Sequence, residues 1–255
     1  MEPLFEQRDP SALEDVFDDP SVADFLRRVS PNSFSAAAGF WRTPFTSTHL
    51  SPRMKELLLL AMHASATAVN PSAIDRHVER AKIAGASDGD ILDVLLSIVG
   101  AANHSLYACV PLLMEELKEE SSAEPDLPVA DVNFEALKEE FIKTRGFWNR
   151  DRDALFKLMP DYFQALTRLS VEPWQSGTLA PKEREFIYIG IDCNVTHTYL
   201  PGLRLHIRNA IKHGATRDEI LEIFQLAALM GLEGYMLGSL SLWKQARSGA
   251  DKSMD

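Results

Sequence analysis

Cysteine is scarce in this sequence, which contains only Cys109 and Cys193 among 255 residues. Two thiols cannot supply the disulfide framework of a small secreted protein or the thiolate cage of a structural zinc site. The HExxH and CxxC motifs of metal and redox sites are also missing, and His197 and His206 are too loosely spaced to form a metal motif. We therefore expect no metal and no other cofactor.

Basic residues are outnumbered by acidic ones, with 26 Lys and Arg against 37 Asp and Glu and a net charge of −11. A nucleic-acid surface needs concentrated positive charge, so we expect no nucleic-acid partner. No uninterrupted apolar run reaches the length of a bilayer span, and the acidic first residues differ from a signal peptide. The sequence predicts a cytoplasmic protein without a membrane partner.

One long internal repeat is present. Residues 181–236 align without a gap on residues 52–107, at an offset of 129 positions. The alignment pairs Glu185 with Glu56, His206 with His77, Gly214 with Gly85, and Pro181 with Pro52. Repetition at a fixed offset is the signature of a duplicated structural unit. It predicts two similar domains packed together.

Helix signals within each copy predict an all-α fold. Proline follows a capping residue at Ser51–Pro52 and Asn70–Pro71, as it does in the first turn of a helix. Residues 116–132 are charged, contain proline and lack an apolar period, which is typical of a linker. We expect a first domain over residues 20–115, a linker over 116–132 and a second domain over 133–245. Residues 1–19 are expected to form a loose acidic arm.

The candidate chemistry of the second copy centres on His206. Leu203, His206, Ile207 and Ala210 follow the i, i+3, i+4, i+7 spacing of an apolar helix face, so the histidine should point inward. Glu185 lies on the preceding helix, where Asp192 returns to nearly the same face two turns later. An inward histidine beside a carboxylate is a candidate pair for proton transfer. In the first copy the equivalent residues are His77, Glu56 and His63.

A structural interpretation stands beside this one, because a buried histidine with a carboxylate partner is also a common hydrogen-bonded pair of a protein core. The second copy carries additional polar residues around the turn before the histidine, among them Asp192, His197 and Tyr199. The equivalent turn of the first copy is less polar. If only one half is active, we expect it to be the second.

The stretch LRLHIRNAIKHGATRDEILEIF at residues 203–224, followed by AALMGLEGYMLGSL, resembles the carboxymuconolactone decarboxylase family. Members of that family share a helical fold with the alkylhydroperoxidase AhpD. The resemblance covers residues 50–113 and 179–242 and implies two tandem AhpD-like helical domains. The CxxC motif of AhpD-type members aligns with Tyr199 and Gly202, and with Asn70 and Ala73. Thiol peroxidase chemistry is therefore excluded.

The resemblance implies a cofactor-free lyase that acts on a small carboxylated lactone or related organic acid, in the breakdown of aromatic compounds. By similarity His206 would be the acid or an anchor, and Glu185 would orient it. The aromatic-glycine-aromatic-proline turn of the decarboxylases is replaced here by residues 229–234, which indicates a different substrate. Isomerase or hydrolase activity, or a non-catalytic binding or scaffold role, remain the alternatives. Single-domain relatives form rings, so we expect a homotrimer that mimics six domains.

Overall fold

The structure is a computed structural model that describes residues 9–120 and 133–251. The described residues form helices and turns without a strand, which confirms the predicted all-α fold. The first half comprises α1 (Ser21–Val29), α2 (Pro31–Thr46), α3 (Pro52–Ala64), α4 (Pro71–Ile83), α5 (Asp88–Val99) and α6 (His104–Glu120). The second half comprises α7 (Phe134–Arg145), α8 (Asp151–Leu158), α9 (Pro160–Ser176), α10 (Pro181–Cys193), α11 (Leu200–Lys212), α12 (Arg217–Ala228) and α13 (Glu233–Asp251).

The repeat fixes the helix boundaries. Helices α10, α11 and α12 begin and end at the residues equivalent to the ends of α3, α4 and α5. A proline stands in the first turn of α3, α4, α10 and α11, and capping boxes open α5 and α12. Gly85 and Gly214 follow α4 and α11 with φ angles of 94° and 84°, a backbone conformation that favours glycine. Local sequence signals therefore account for the shared boundaries.

The two repeats are related by a pseudo-twofold axis. Thr67 and Thr196 occupy equivalent positions, and their Oγ1 atoms lie 3.1 Å apart. Equivalent positions contact each other when they lie on the axis that relates the copies. Helices α3 and α10 also pack against each other, and their apolar residues belong to one hydrophobic core. The duplicated halves thus share a single core.

Two buried ion pairs join the repeats. Lys55 Nζ lies 2.8 Å from Glu222 Oε1, and the equivalent Arg184 pairs with Asp93. Each acid also accepts a hydrogen bond from a backbone amide, of Leu50 or of the equivalent Leu179. Because these charges are buried, each would lack an opposite charge if the other repeat were absent.

The chain before and between the repeats differs in part from expectation. Leu13 and Phe17 are buried, and the indole nitrogen of Trp41 donates a hydrogen bond to the carbonyl oxygen of Pro10 at 2.9 Å. The prediction of a loose arm is therefore wrong for residues 9–19, because its few apolar side chains anchor it to the core. Helix α6 extends through Glu120, and the rest of the predicted linker lies outside the described residues. The domain limits stay a prediction.

Two helical stretches, Asp88–Glu119 and Arg217–Gly249, are long and apolar enough to cross a membrane by length and composition. No uninterrupted apolar run in the sequence is long enough to span a bilayer, but the structure joins shorter apolar runs into these continuous helical stretches. These stretches are equivalent in the two repeats, and each carries a buried acid, Asp93 or Glu222, paired with the other repeat. Core helices pass the same criteria, so length and composition alone do not indicate a membrane span.

A smaller apolar cluster packs helices α7, α8 and α9 against α6. Its buried members are Val110, Leu155, Phe163 and Leu166. The cluster lies beside the shared core and holds two buried arginines, Arg145 at the end of α7 and Arg152 at the start of α8. It thereby brings positive charge to the second repeat.

Candidate active site

A cavity of about 510 Å³ lies against the histidine of the second repeat. It is bounded by α5 and α6 of the first repeat and by the segment from α7 to α11 of the second. Polar and aromatic side chains that line it include His104, Arg145, Arg152, Tyr188, Asp192, Tyr199 and His206. Enclosed cavities with a few convergent polar groups are the usual form of small-molecule sites.

His206 and Glu185 form a close pair at this cavity. The imidazole Nδ1 lies 2.6 Å from Glu185 Oε2, and Asn209 Nδ2 donates to Glu185 Oε1 at 3.2 Å. A carboxylate only accepts hydrogen bonds, so Nδ1 carries the proton and Nε2 is left with its lone pair. Burial lowers the pKa of His206, an effect that Glu185 partly opposes. The ring of Tyr188 stacks on the imidazole, with centroids 4.7 Å apart.

Asp192 faces the free nitrogen of this histidine. Its Oδ2 lies 4.0 Å from His206 Nε2 and has no hydrogen-bond partner among the described residues. Burial, together with the charge of Glu185, raises the pKa of Asp192 to about 8. Gly202 is packed so closely that a Cβ atom at this position would overlap Asp192 Oδ2. The carboxyl group is therefore confined at the wall of the cavity.

His104 reaches this site from α6 of the first repeat. Its Nδ1 lies 2.9 Å from His197 Nε2, and its ring stacks on Tyr199 with centroids 4.0 Å apart. Asp192 Oδ1 lies 3.6 Å from His104 Nδ1 and 3.8 Å from His197 Nε2. Burial lowers the pKa of His104 to about 3 and also lowers the pKa of His197, so both imidazoles are neutral at physiological pH.

Two arginines supply positive charge to the cavity. Arg145 and Arg152 are buried. In residues 9–120 and 133–251, the Nε atoms of both and Nη1 of Arg152 have no hydrogen-bond partner. Burial lowers the pKa of Arg152, although a guanidinium remains charged at neutral pH. Arg152 also lies over the ring of Phe141, with the guanidinium carbon 3.9 Å from the centroid. Buried guanidinium groups with spare donors are suited to binding a carboxylate.

The first repeat contains a related but different arrangement. His77 Nδ1 lies 2.7 Å from Glu56 Oε2, and His63 stacks on His77 at 5.2 Å. Glu233 lies 3.4 Å from His63 Nε2 and 2.7 Å from Arg76 Nη2. Burial raises the pKa of Glu56 to about 7, lowers that of His63 to about 2, and lowers that of His77 well below its usual value.

Each site is completed by a helix of the other repeat. Glu233 belongs to α13 and is equivalent to His104 on α6, so these two residues exchange roles across the pseudo-twofold axis. Their neighbours are exchanged in type as well: the second repeat has the acid Asp192 where the first repeat has His63. A second cavity of about 580 Å³ lies beside the first-repeat site, and its lining includes several carboxylates: Asp15, Asp18, Glu56, Asp75, Glu79 and Glu233. The two cavities thus differ in charge.

The structure brings together all the residues that the sequence predicts for the second-repeat site: Glu185, Asp192, His197, Tyr199 and His206. The first-repeat candidates Glu56, His63 and His77 also lie together. Sequence reasoning missed His104, Arg145 and Arg152. The repeat alignment held one signal, because His104 and Glu233 are polar residues at equivalent places in apolar stretches. Arg208 of α11 also lines the cavity.

Comparisons with known proteins agree with this architecture. Residues 160–244 match the model of the carboxymuconolactone decarboxylase family. A crystal structure from Burkholderia xenovorans LB400, provisionally described as a gamma-carboxymuconolactone decarboxylase subunit, is similar with a TM-score of 0.83 and 34% identity. The similarity covers 96% of this chain and 100% of that one. A comparison with curated proteins finds no match. The chain therefore belongs to the carboxymuconolactone decarboxylase family.

Proposed function

We propose that the second-repeat cavity catalyses proton transfer on a small organic acid, as a cofactor-free lyase that decarboxylates a carboxylated lactone or a related compound. One observation carries the proposal. The free Nε2 of the His206–Glu185 pair shares a single cavity with the buried guanidinium groups of Arg145 and Arg152. The family, and the description of the Burkholderia relative, support this class of reaction.

The arginines would bind the anionic substrate. Both guanidinium groups line the cavity in a buried environment, where an ion pair with a carboxylate is stronger than in water. The side chains of Tyr188 and Tyr199 line the same cavity and add aromatic surface to its wall. This combination favours a compact anion over a long or cationic substrate.

Decarboxylation breaks the bond between a carbon atom and the carboxylate carbon, releases carbon dioxide and leaves an electron pair on the remaining carbon. A proton must then reach that carbon. His206 would first take up a proton from solvent on Nε2 and then give it to the carbon, while Glu185 holds Nδ1–H and stabilises the imidazolium that exists between the two transfers. His206 is thus the proposed acid and Glu185 its orienting partner.

Turnover of a defined panel tests the proposal. The panel contains 4-carboxymuconolactone, related lactones and β-keto acids, with substrate absorbance and released carbon dioxide as readouts. We expect one member to be consumed with an equal amount of carbon dioxide released. Consumption without carbon dioxide would indicate isomerase or hydrolase activity, and no consumption by the folded chain would refute the lyase.

We further propose that the chain assembles as a homotrimer. The Burkholderia relative is described as a subunit, and a ring of three fused chains would match a ring of six single domains. Light scattering coupled to gel filtration gives the mass in solution. We expect a mass equal to that of three chains, and the mass of a single chain would refute the trimer.

A further inference from the structure

Three donor atoms converge at the edge of the second-repeat cavity. They are His104 Nδ1 on α6, Asp192 Oδ1 at the end of α10, and His197 Nε2 in the turn before α11. The nitrogen atoms lie 2.9 Å apart, and the carboxylate oxygen lies 3.6 Å and 3.8 Å from them. The three residues come from separate elements, so their convergence is a property of the tertiary fold.

The triangle has the size that a metal ion requires. A point about 2 Å from all three atoms lies within it, and bonds from zinc to histidine nitrogen or carboxylate oxygen are about 2.0–2.2 Å long. Two imidazole nitrogens and one carboxylate are donors that suit first-row divalent transition metals. Magnesium and calcium prefer oxygen ligands.

The first repeat provides an internal comparison. There Glu233 stands in the place of His104, and its carboxylate is neutralised by Arg76, whose Nη2 lies 2.7 Å away. The residue equivalent to Arg76 in the second repeat is Leu205, and the residue equivalent to His197 in the first repeat is Ala68. The second repeat has therefore lost a guanidinium at this place and gained a third donor.

The carboxyl group of Asp192 is buried in this cluster. Its side chain is only 2% exposed, and Oδ2 has no hydrogen-bond partner in the described part of the chain. A buried carboxyl group has to be neutralised by a proton or by a cation. The two neighbouring imidazoles provide the ligands that a metal cation would need in addition.

We propose that His104, Asp192 and His197 together bind one first-row divalent transition-metal ion. His104 and Asp192 line the cavity, so an ion between them can be reached by a ligand there. Its free coordination position would take an oxygen atom of an anionic ligand. The site goes beyond the proposed lyase and does not depend on it, because metal binding is measured without turnover. No sequence motif marks this site, since His104 lies 93 positions before His197.

Zinc and cobalt are the probes for this site. The full chain, without a histidine tag, is treated with a chelator, freed of it, and titrated with Zn²⁺ by calorimetry. Co²⁺ is followed by visible absorption, which reports nitrogen and oxygen coordination. The variants are His104→Gln and His197→Gln, with His213→Gln as the matched control, because His213 is exposed and outside the cluster.

We expect one ion per wild-type chain, unchanged binding in His213→Gln, and binding weaker by about tenfold or more in the other two variants. His197 lies in a turn, so His197→Gln keeps the test decisive if His104→Gln does not fold, as judged by circular dichroism. The proposal is overturned if wild type binds neither ion, or if His197→Gln binds zinc as tightly as His213→Gln. In that case the two imidazoles are simply hydrogen-bonded to each other.

Discussion

His104 and Tyr199 belong to different repeats, and their rings stack with centroids 4.0 Å apart. This contact closes the second-repeat site with a residue of the first repeat. In the same way, Glu233 of the second repeat closes the first-repeat site, where it contacts His63 and Arg76. Duplication has therefore produced a chain in which each half completes the site of the other.

The buried ion pairs between the repeats should be essential for stability. Asp93→Asn leaves Arg184 buried without its carboxylate partner, which we expect to lower the free energy of unfolding by about 3–5 kcal/mol. Glu222→Gln should have a similar effect through Lys55. Urea unfolding followed by circular dichroism measures both.

The control for this experiment is Asp218→Asn, which removes the exposed partner of Arg217 and should leave the stability nearly unchanged. Equal stability of Asp93→Asn and Asp218→Asn would contradict the importance of the buried pair.

Gly202 should not tolerate a methyl group. Gly202→Ala places a Cβ atom against Asp192 Oδ2 and close to Tyr199, so we expect a loss of about 1–3 kcal/mol. The equivalent residue in the first repeat is already Ala73, where the facing residue is His63 instead of Asp192. Thermal unfolding measures the loss.

Gly238→Ala is the matched control, because Gly238 lies inside α13 and a Cβ there would meet no atom within 4 Å. It should leave stability unchanged or raise it by about 0.5–1 kcal/mol. If Gly202→Ala is as stable as Gly238→Ala, Gly202 does not pack closely against Asp192.

Glu56 should make stability depend on pH. Its pKa is raised from 4.5 to about 7, so its contribution to stability is complete below pH 4.5 and is lost as pH rises to about 7. His77 acts in the opposite sense, since its lowered pKa costs stability as pH falls below 6.5. The difference in unfolding free energy between wild type and Glu56→Gln isolates the effect of the carboxyl group.

We expect the wild type to become less stable relative to Glu56→Gln as pH rises from 4.5 to 7. Denaturant unfolding at several pH values provides the curve. Glu115→Gln, at an exposed position on α6, serves as the control and should give a flat difference. A flat difference for Glu56→Gln as well would mean that folding does not shift the pKa of Glu56.

Arg152 should determine affinity for anions. Arg152→Gln removes a buried positive charge from the cavity, and we expect the KM of an anionic substrate to rise by about tenfold or more with a smaller change in kcat. Arg152→Lys keeps the charge and should restore part of the affinity. Arg168→Gln, on the exposed face of α9, is the control. An unchanged KM in folded Arg152→Gln would exclude this guanidinium from substrate binding.

Local signals in the sequence were sufficient for the central helices of each repeat and for the pairing of His206 with Glu185. Proline at the first turn, capping residues and the apolar spacing around His206 act within a few residues. The contacts of His104 were not predictable in this way, because they depend on how α6 of one repeat lies against α10 and α11 of the other. The same holds for Arg145 and Arg152, which reach the cavity through the separate cluster of α7–α9.

The most direct test of proton transfer by His206 compares His206→Gln with His77→Gln. Both histidines are buried and paired with an equivalent glutamate, so the two substitutions make similar structural demands. With the substrate found by the panel, we expect His206→Gln to lower kcat/KM by about 10²–10⁴-fold while His77→Gln stays near wild type. If folded His206→Gln keeps wild-type activity, or if His77→Gln loses as much, His206 is not the residue that transfers the proton.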